Sequence, residues 1–329
     1  MNATLRDRGE RALLEEIRRA VPARGRVLLG PGDDAAVLAP SRHSLILTTD
    51  ALVEGVHFRR GWLTPRALGQ RAFAVSVSDV AAMGGRPIAA LLAIAAHSDM
   101  PAAELREIVR GVRAGAEAAG AALAGGNLAA ARVLSLTVAV LGEAPWQPVT
   151  RAGGRAGDLL FVTGDLGGAA FGLRLLGLAR SIPRGASAVG RWQRPVARLR
   201  AGAALARGKI AAAMIDLSDG LLIDADRLCR ASGVGARLRG DCLPLAPAVR
   251  TLPPRAARAL ALAGGEDYEL LFAVRPARLG ALAVARRALG CRITHVGELV
   301  RGRGVCVIDA RGRTLALPHH TGHEHFTSP

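Results

Sequence analysis

Helix-like and strand-like segments alternate through both halves of this 329-residue chain, which predicts an α/β or α+β fold in two domains. The length is sufficient for two domains, and 50% hydrophobic residues are enough for a packed core in each. Glycine and proline mark the breaks between the segments. The composition therefore excludes a disordered protein.

The first half predicts helices interleaved with strands. Thr64 supplies a side-chain cap and Pro65 the fixed φ of a first helical position, so a helix starts there and ends at Gly84. The other predicted elements are an amphipathic helix over residues 5–20, strands over 44–49, 87–96 and 133–141, a short strand into Gly125-Gly126, and a helix from about 101 to 120.

The second half begins after a predicted domain boundary at residues 142–148. A strand over 159–163 runs into the glycine-rich loop Gly164–Gly168, and the apolar run 211–215 leads into a turn that contains Asp216 and Asp219. The remaining predictions are a weakly structured segment over 181–198, a helix through Ala206, and strands over 269–274 and 304–308 on either side of another helix.

The net charge of +17 comes almost entirely from scattered arginine. Clustered basic residues would favour a nucleic-acid partner, but aromatic residues make up only 3% and leave few platforms on which bases could stack. The chain starts with charged residues, and its longest apolar stretch, 88–96, is too short to cross a bilayer. We therefore expect a cytoplasmic protein that binds neither nucleic acid nor membrane. The four separated cysteines predict reduced thiols.

The acidic residues carry the functional signal. Only 27 Asp and Glu occur, and many stand beside apolar or glycine-rich sequence, where burying a carboxylate is costly unless a cation offsets the charge. Mg²⁺ suits carboxylate and hydroxyl oxygens and bridges to phosphates. We therefore expect an ATP- and Mg²⁺-dependent phosphotransferase. The acidic residues in question are Asp33, Asp34, Asp50, Asp79, Asp216, Asp219, Asp224, Asp226, Glu266 and Asp267.

Each acidic motif taken alone has a simpler interpretation as a cap or turn, because Asp readily bonds the local backbone. His57 is by default a surface or core histidine, and Gly164–Gly168 is more simply a tight strand-to-helix connection than a phosphate site. The chain contains neither a P-loop motif nor a G-x-G-x-x-G placed between a strand and a helix. The conjunction of the acidic motifs therefore carries the prediction.

Six motifs occur in order along the chain: GDDAAVL at 32–38, TTDALVEGVHF at 48–58, SVSDVAAMGG at 76–85, VTRAGGRAGDLLFVTG at 149–164, IDLSDGL at 215–221 and GGEDYELLF at 264–272. Their order, spacing and span, over about residues 5–326, resemble those of the thiamine-monophosphate kinase family. The last two motifs separate that family from its relatives, aminoimidazole ribonucleotide synthetase, selenophosphate synthetase and the hydrogenase-maturation dehydratase.

The resemblance implies an aminoimidazole ribonucleotide synthetase-like architecture. An α+β N-terminal domain over 1–144 is expected to bind ATP and Mg²⁺, and its sheet to pair with that of a second subunit in a homodimer. A C-terminal α/β domain over 145–329 is expected to contribute to the active-site cleft. The implied reaction is direct in-line transfer of the γ-phosphoryl group of ATP to thiamine monophosphate, giving thiamine diphosphate and ADP. Neither a covalent nucleophile nor a general base is implied.

The resemblance also assigns roles, position by position. The expected ligands of several Mg²⁺ ions are Asp34, Thr48, Thr49, Asp50, Asp79, Asn127, Asp216 and Asp219. The expected nucleotide contacts are Gly126, Asn127, Arg151 and Ser218. The expected substrate contacts are His57, Glu266 and His320.

Two positions depart from the family pattern. Asn127 stands where an aspartate is usual and so lacks its charge, and His320 lies near the place of an aromatic residue that stacks on the substrate. Two alternatives stay open. One is another ATP-dependent enzyme of the superfamily that acts on a different small phosphorylated substrate. The other is a non-catalytic ATP-binding or basic nucleic-acid-binding homologue, which Asn127 favours.

Overall fold

The computed structural model describes residues 3–31, 35–178 and 187–318. The chain divides into two compact units, the first comprising Met1–Val80 with Gly85–Pro145 and the second Ala81–Gly84 with Trp146–Pro329. Each unit has its own β-sheet with helices packed on it. The prediction of an α+β domain followed by an α/β domain is therefore confirmed.

The helices and strands have the following bounds. In the first unit they are α1 (Leu5–Arg8), α2 (Glu10–Ala20), β1 (Val27–Leu29), β2 (Val37–Leu38), β3 (Ser44–Val53), α3 (Pro65–Ala82, whose last two residues belong to the second unit), β4 (Arg86–Ala96), α4 (Ala102–Ala118), β5 (Ala122–Ala130) and β6 (Ser135–Ala144). In the second unit they are β7 (Leu159–Thr163), α5 (Gly168–Gly177), α6 (Ser187–Gln193), α7 (Leu199–Arg207), β8 (Ala211–Leu217), α8 (Leu221–Ser232), β9 (Gly235–Arg239), α9 (Pro254–Ala263), β10 (Glu269–Val274), α10 (Leu279–Leu289), β11 (Ile293–Val300) and β12 (Val305–Ile308).

The main sheet of the first unit has the strand order β3-β6-β4-β5. β6 is antiparallel to β3 and β4, and β4 is parallel to β5. Alternate residues of β6, including Leu136, Val138 and Val140, are completely buried on the face where α4 packs on β4 and β5 and where Asp79 of α3 bonds to Thr48. β3 and β5 are the two edges of the sheet. On its other face, β1 packs against Ala89 and Ala122, whereas Leu45, Leu47 and Leu91 are exposed, and this exposed part is called the open face.

Small residues and a cap fix α3 against its neighbours. The Thr64 hydroxyl accepts a hydrogen bond from the Ala67 N–H at 3.2 Å, which confirms the predicted N-cap. A Cβ on Gly69 would lie 2.1 Å from the Ile108 carbonyl oxygen of α4, so glycine is required where the two helices cross. This close crossing holds α3, which carries Asp79, against the sheet.

The second unit contains a six-stranded sheet with the order β12-β9-β11-β7-β10-β8. β10 is antiparallel to both β7 and β8, so the ends of those two strands meet the start of β10 at one end of the sheet. All residues of β10 are buried, with Phe272 packing toward α7 and α10 and Leu271 toward α8 and α9. Helices on both faces of the sheet fit the predicted α/β class.

Several elements differ from the sequence prediction. The segment predicted to be weakly structured contains α6, a helix of 7 residues that buries Trp192, because so short a helix gives little periodicity. β9 and β11 were also missed, since glycine, arginine and histidine interrupt their apolar alternation. Over the described ranges, no helix is long and apolar enough to cross a membrane.

Candidate functional site

The first unit brings together Thr48, Asp50 and Asp79. Thr48 and Asp50 alternate along β3 and therefore project toward the face that α3 covers. The Thr48 hydroxyl donates a hydrogen bond to the carboxylate of Asp79, and all three side chains are half-buried. The result is a group of carboxylate and hydroxyl oxygens between a strand and a helix.

Thr49 and Asn127 lie elsewhere in the same unit. Thr49 follows Thr48 in β3 and so projects to the open face, where it is exposed. Asn127 is also exposed, but it lies on β5, the opposite edge of the sheet. Three strand spacings, roughly 14 Å, separate these edges. Within one chain, Asn127 is therefore not brought to the Thr48–Asp79 group.

Gly126 has a structural reason to be glycine. A Cβ at this position would lie 1.8 Å from the Leu92 carbonyl oxygen of β4, so no other residue fits while the strands keep this register. Its expected nucleotide contact stays a prediction.

His57 is held by the turn that follows β3. Its Nδ1 accepts a hydrogen bond from the Val53 N–H at 3.1 Å, and Phe58, 1% exposed, anchors the turn in the core. Because Nδ1 accepts this bond, the neutral ring carries its proton on Nε2. The turn therefore fixes the orientation and the tautomer of the ring.

In the second unit, Asp216, Ser218 and Asp219 lie where β8 ends and α8 begins. Asp216 is 5% exposed, and the Asp219 carboxylate accepts a hydrogen bond from the Arg227 guanidinium. Asp224 stabilises the same turn by accepting the N–H groups of Asp219 and Gly220, each at 3.1 Å. Burial, with help from the charge of Asp219, raises the pKa of Asp224 to about 6.

Glu266 is brought to the same turn by backbone contacts. Its N–H donates to the Ser218 carbonyl at 2.7 Å, and the Tyr268 N–H donates to the Leu217 carbonyl at 2.9 Å. Gly265 permits this approach, since a Cβ there would lie 2.5 Å from the Ser218 oxygen. Glu266 and Tyr268 have φ of 73° and 49°, a conformation that costs about 1–2 kcal/mol per non-glycine residue. The segment is thus strained.

Asp267 settles the role of the glycine-rich loop. Its half-buried carboxylate accepts the N–H groups of Gly167 at 2.6 Å and Ala169 at 3.2 Å, in the first turn of α5. Burial raises the pKa of Asp267 to about 7, although both hydrogen bonds favour the ionised form. The helix N-terminus is thereby bound to a carboxylate of the chain itself, which agrees with Gly164–Gly168 being a tight connection.

The sequence reasoning missed a buried ion-pair network beside this segment. Glu269 is 1% exposed, forms two hydrogen bonds with the Arg198 guanidinium and accepts one from the Thr163 hydroxyl at 2.7 Å. Arg191 approaches the same carboxylate at 3.5 Å. A glutamate that begins the otherwise apolar run ELLFAV was the signal that could have revealed it.

Arg151 is placed away from the Asp219 turn. Its carbonyl accepts a hydrogen bond from the Ser232 hydroxyl at 2.8 Å, at the C-terminal end of α8, whereas Asp219 precedes the N-terminal end. Asp34 and His320 lie outside the described residues. Over the described part of the chain, no group of three or more His, Cys, Asp or Glu side chains is arranged to hold a metal.

Both halves of the chain match models of the AIR synthase related protein, the N-terminal domain over residues 32–144 and the C-terminal domain over 155–309. The fold is thus that of an AIR synthase related protein. The thiamine-monophosphate kinase of Escherichia coli K12 is 36% identical over 92% of this chain and 93% of its own length.

Solved structures give the same result. The thiamine-monophosphate kinase of Stenotrophomonas maltophilia K279a has a TM-score of 0.81 at 35% identity, covering 91% of this chain and 96% of that one. AaThiL complexed with AMPPCP and TMP has a TM-score of 0.76 at 32% identity, covering 99% of this chain and 100% of that one. The chain belongs to the thiamine-monophosphate kinase family.

Proposed function

We propose that this protein transfers the γ-phosphoryl group of ATP to thiamine monophosphate and releases thiamine diphosphate and ADP. The observation that carries the proposal is the joining of Thr48 and Asp79 on the face that also carries Asp50, in a chain whose relatives are thiamine-monophosphate kinases. A cytoplasmic location stays a prediction.

The residues present fit Mg²⁺. The oxygens of Thr48, Asp50 and Asp79 in one unit, and those of Asp216 and Asp219 in the other, are hard donors of the kind that this ion prefers. When bound, Mg²⁺ would neutralise phosphate oxygens and help to align them. Asp34, Thr49 and Asn127 are proposed as further ligands, and Asn127 would offer a carbonyl oxygen only.

The protein's contribution to the transfer would be positioning and electrostatic stabilisation. The attacking phosphate oxygen of thiamine monophosphate is already anionic at neutral pH, so proton removal by a side chain is unnecessary. We assign substrate contacts to His57 and Glu266, and nucleotide contacts to Gly126, Arg151 and Ser218. His320 is proposed to stack on the substrate.

We further propose a homodimer formed through the open face of the first unit's sheet. Leu45, Leu47 and Leu91 on this face are 58%, 76% and 47% exposed, and the face borders an apolar cavity of about 1330 Å³. A second copy is the proposed occupant because Thr49 and Asn127 both project to this face but lie on opposite edges of the sheet. Residues from the two edges could serve one site only if they came from different copies.

The dimer is tested by replacing Leu47 with Glu, which places a charge on the open face. Sedimentation equilibrium should report a dimer for the natural sequence and a folded monomer for the variant, with loss of activity. Leu178→Glu is a suitable control, because Leu178 is 54% exposed in the second unit. A natural monomer, or an unchanged assembly in Leu47→Glu, would contradict the proposal.

The reaction is tested by coupling ADP release to thiamine monophosphate, with thiamine and other small phosphorylated molecules as competing acceptors. We expect turnover that requires Mg²⁺ and prefers thiamine monophosphate, with thiamine diphosphate recovered as product. Preference for a different acceptor would support the alternative that the protein is an ATP-dependent enzyme of the same superfamily with another small phosphorylated substrate. ATP binding without turnover on any acceptor would support the non-catalytic homologue.

A further inference from the structure

The turn Gly264–Tyr268 is restrained more strongly than a connection between α9 and β10 requires. The described residues contain three non-glycine residues with positive φ, and two of them, Glu266 and Tyr268, flank Asp267. Such a conformation persists only where the surroundings hold it. Strain of this kind directs attention to the groups that hold the turn in place.

Asp267 is one of these groups. Its carboxylate bonds to the first turn of α5, about a hundred residues earlier in the chain, while the N–H groups on either side of it bond to the end of β8. The turn is therefore fixed to two different elements at once. Asp267 holds it from the α5 side, and Glu266 lies against the Ser218 carbonyl on the β8 side.

We propose that Asp267 is a positioning residue, which holds Glu266 in its left-handed conformation against the Ser218 turn and thereby sets the affinity for the phosphate acceptor. The inference rests on the proposed function, in which Glu266 contacts thiamine monophosphate. If Asp267 released α5, the backbone at Glu266 would relax toward an ordinary φ. The side chain of Glu266 would then point in a different direction.

A purely structural role for Asp267 makes a different prediction. Capping of α5 would affect stability, since removal of a helix cap lowers the free energy of unfolding wherever it occurs. Positioning would instead affect one kinetic constant selectively. The KM for the acceptor should rise while the KM for ATP stays nearly constant, because the strained residue is the acceptor contact.

The experiment compares Asp267→Asn, Glu266→Gln and the double variant in the full chain, with thiamine monophosphate varied at saturating ATP and Mg²⁺. Asparagine keeps the size of the side chain but presents an NH₂ group to one of the two N–H donors. We expect Asp267→Asn to raise the KM for thiamine monophosphate about tenfold, as small misplacements of substrate-binding groups do. The KM for ATP should change less than about twofold.

The double variant separates positioning from an independent effect. If Asp267 acts through Glu266, the double variant should bind the acceptor no more weakly than Glu266→Gln alone, since the two residues then contribute one interaction. Multiplication of the two single effects would overturn the proposal. If Asp267→Asn does not fold, Asp267→Ser, which keeps a smaller oxygen acceptor, replaces it in the same kinetic comparison.

Asp158→Asn is the matched control. Asp158 is 3% exposed and its carboxylate accepts the Arg155 N–H at 2.9 Å, but it lies at the opposite end of β7. The Asp158→Asn variant should have a lower melting temperature and an unchanged KM for the acceptor. If Asp267→Asn also lowers only the melting temperature, the positioning role is refuted. If the natural sequence does not phosphorylate thiamine monophosphate, the proposed function itself fails, which is a separate outcome.

Discussion

The two units hold their acidic side chains in different ways. In the first, Thr48 and Asp50 lie along a regular strand and Asp79 along a regular helix, and the bond that joins them comes from a hydroxyl. In the second, the carboxylates lie at turns, where guanidinium groups and backbone N–H groups bind them, as Arg227 binds Asp219. The carboxylates of Asp219 and Asp224 are therefore partly neutralised by Arg227 of the chain itself, and we predict that Asp50 and Asp79 depend more on a bound cation.

The largest effect that follows from this comparison is on turnover. Asp79→Asn and Asp50→Asn should each lower kcat/KM by roughly a thousandfold or more, since each removes a charge from the group that would bind Mg²⁺. Asp219→Asn should cost less, because Arg227 already offsets that carboxylate. Steady-state ADP release at several Mg²⁺ concentrations gives the three values.

A circular dichroism spectrum and a melting curve for each variant serve as the control for folding. Near-normal activity of Asp50→Asn and Asp79→Asn at ordinary Mg²⁺ would contradict the metal-ligand assignment. A greater loss in Asp219→Asn than in Asp79→Asn would reverse the comparison between the units.

The next effect is on stability, and it concerns the buried ion pair of the second unit. Glu269→Gln removes one partner of a buried ion pair and leaves Arg198 uncompensated, which typically costs about 3–5 kcal/mol of unfolding free energy. Glu298→Gln is the control, because its pair with Arg237 is 3.2 Å long and exposed, and such pairs contribute roughly 0–1 kcal/mol. Urea unfolding of both variants measures the difference, and equal losses would show that burial of Glu269 is unimportant.

Local features of the fold were predictable from the sequence because they depend on neighbouring residues. The Thr64 cap and the halt of a helix at Gly84 are of this kind, since both follow from local backbone chemistry. The place of Asn127 is not, because strand order is decided by pairing between distant segments. The bond from Asp267 to Gly167 likewise joins residues far apart in the chain.

The candidate site was predictable to the same extent. Thr48 and Asp50 could be expected on one face because they alternate along a strand, and the Thr48 hydroxyl does bond to Asp79, but their role as metal ligands stays a prediction. Sequence reasoning treated Asp224 and Asp267 as potential participants in metal chemistry, whereas the structure uses both to bind backbone N–H groups. An aspartate that holds a turn and one that binds a metal look alike until their neighbours are known.

The smallest expected effect is on the pH dependence of stability, and it comes from the Asp267 carboxyl in the turn Gly264–Tyr268. Burial raises the pKa of Asp267 from 3.8 to about 7, so between these values the folded protein retains a proton that the unfolded chain has released. The contribution of this carboxyl to stability should therefore fall as the pH rises from about 4 to 7. At roughly 1.4 kcal/mol per pKa unit the full shift is worth about 4 kcal/mol, and since the side chain is only half-buried we expect about 1–2 kcal/mol.

Urea unfolding at pH 4.5 and pH 7.5 measures this, with Asp267→Asn as the reference that cannot titrate. The natural sequence should lose stability relative to the variant between the two pH values. A gain instead would mean that the N–H groups of Gly167 and Ala169 stabilise the ionised form by more than burial disfavours it. Asp267 would then resemble the other neutralised carboxylates of the second unit, and its anchoring of the turn would strengthen with rising pH.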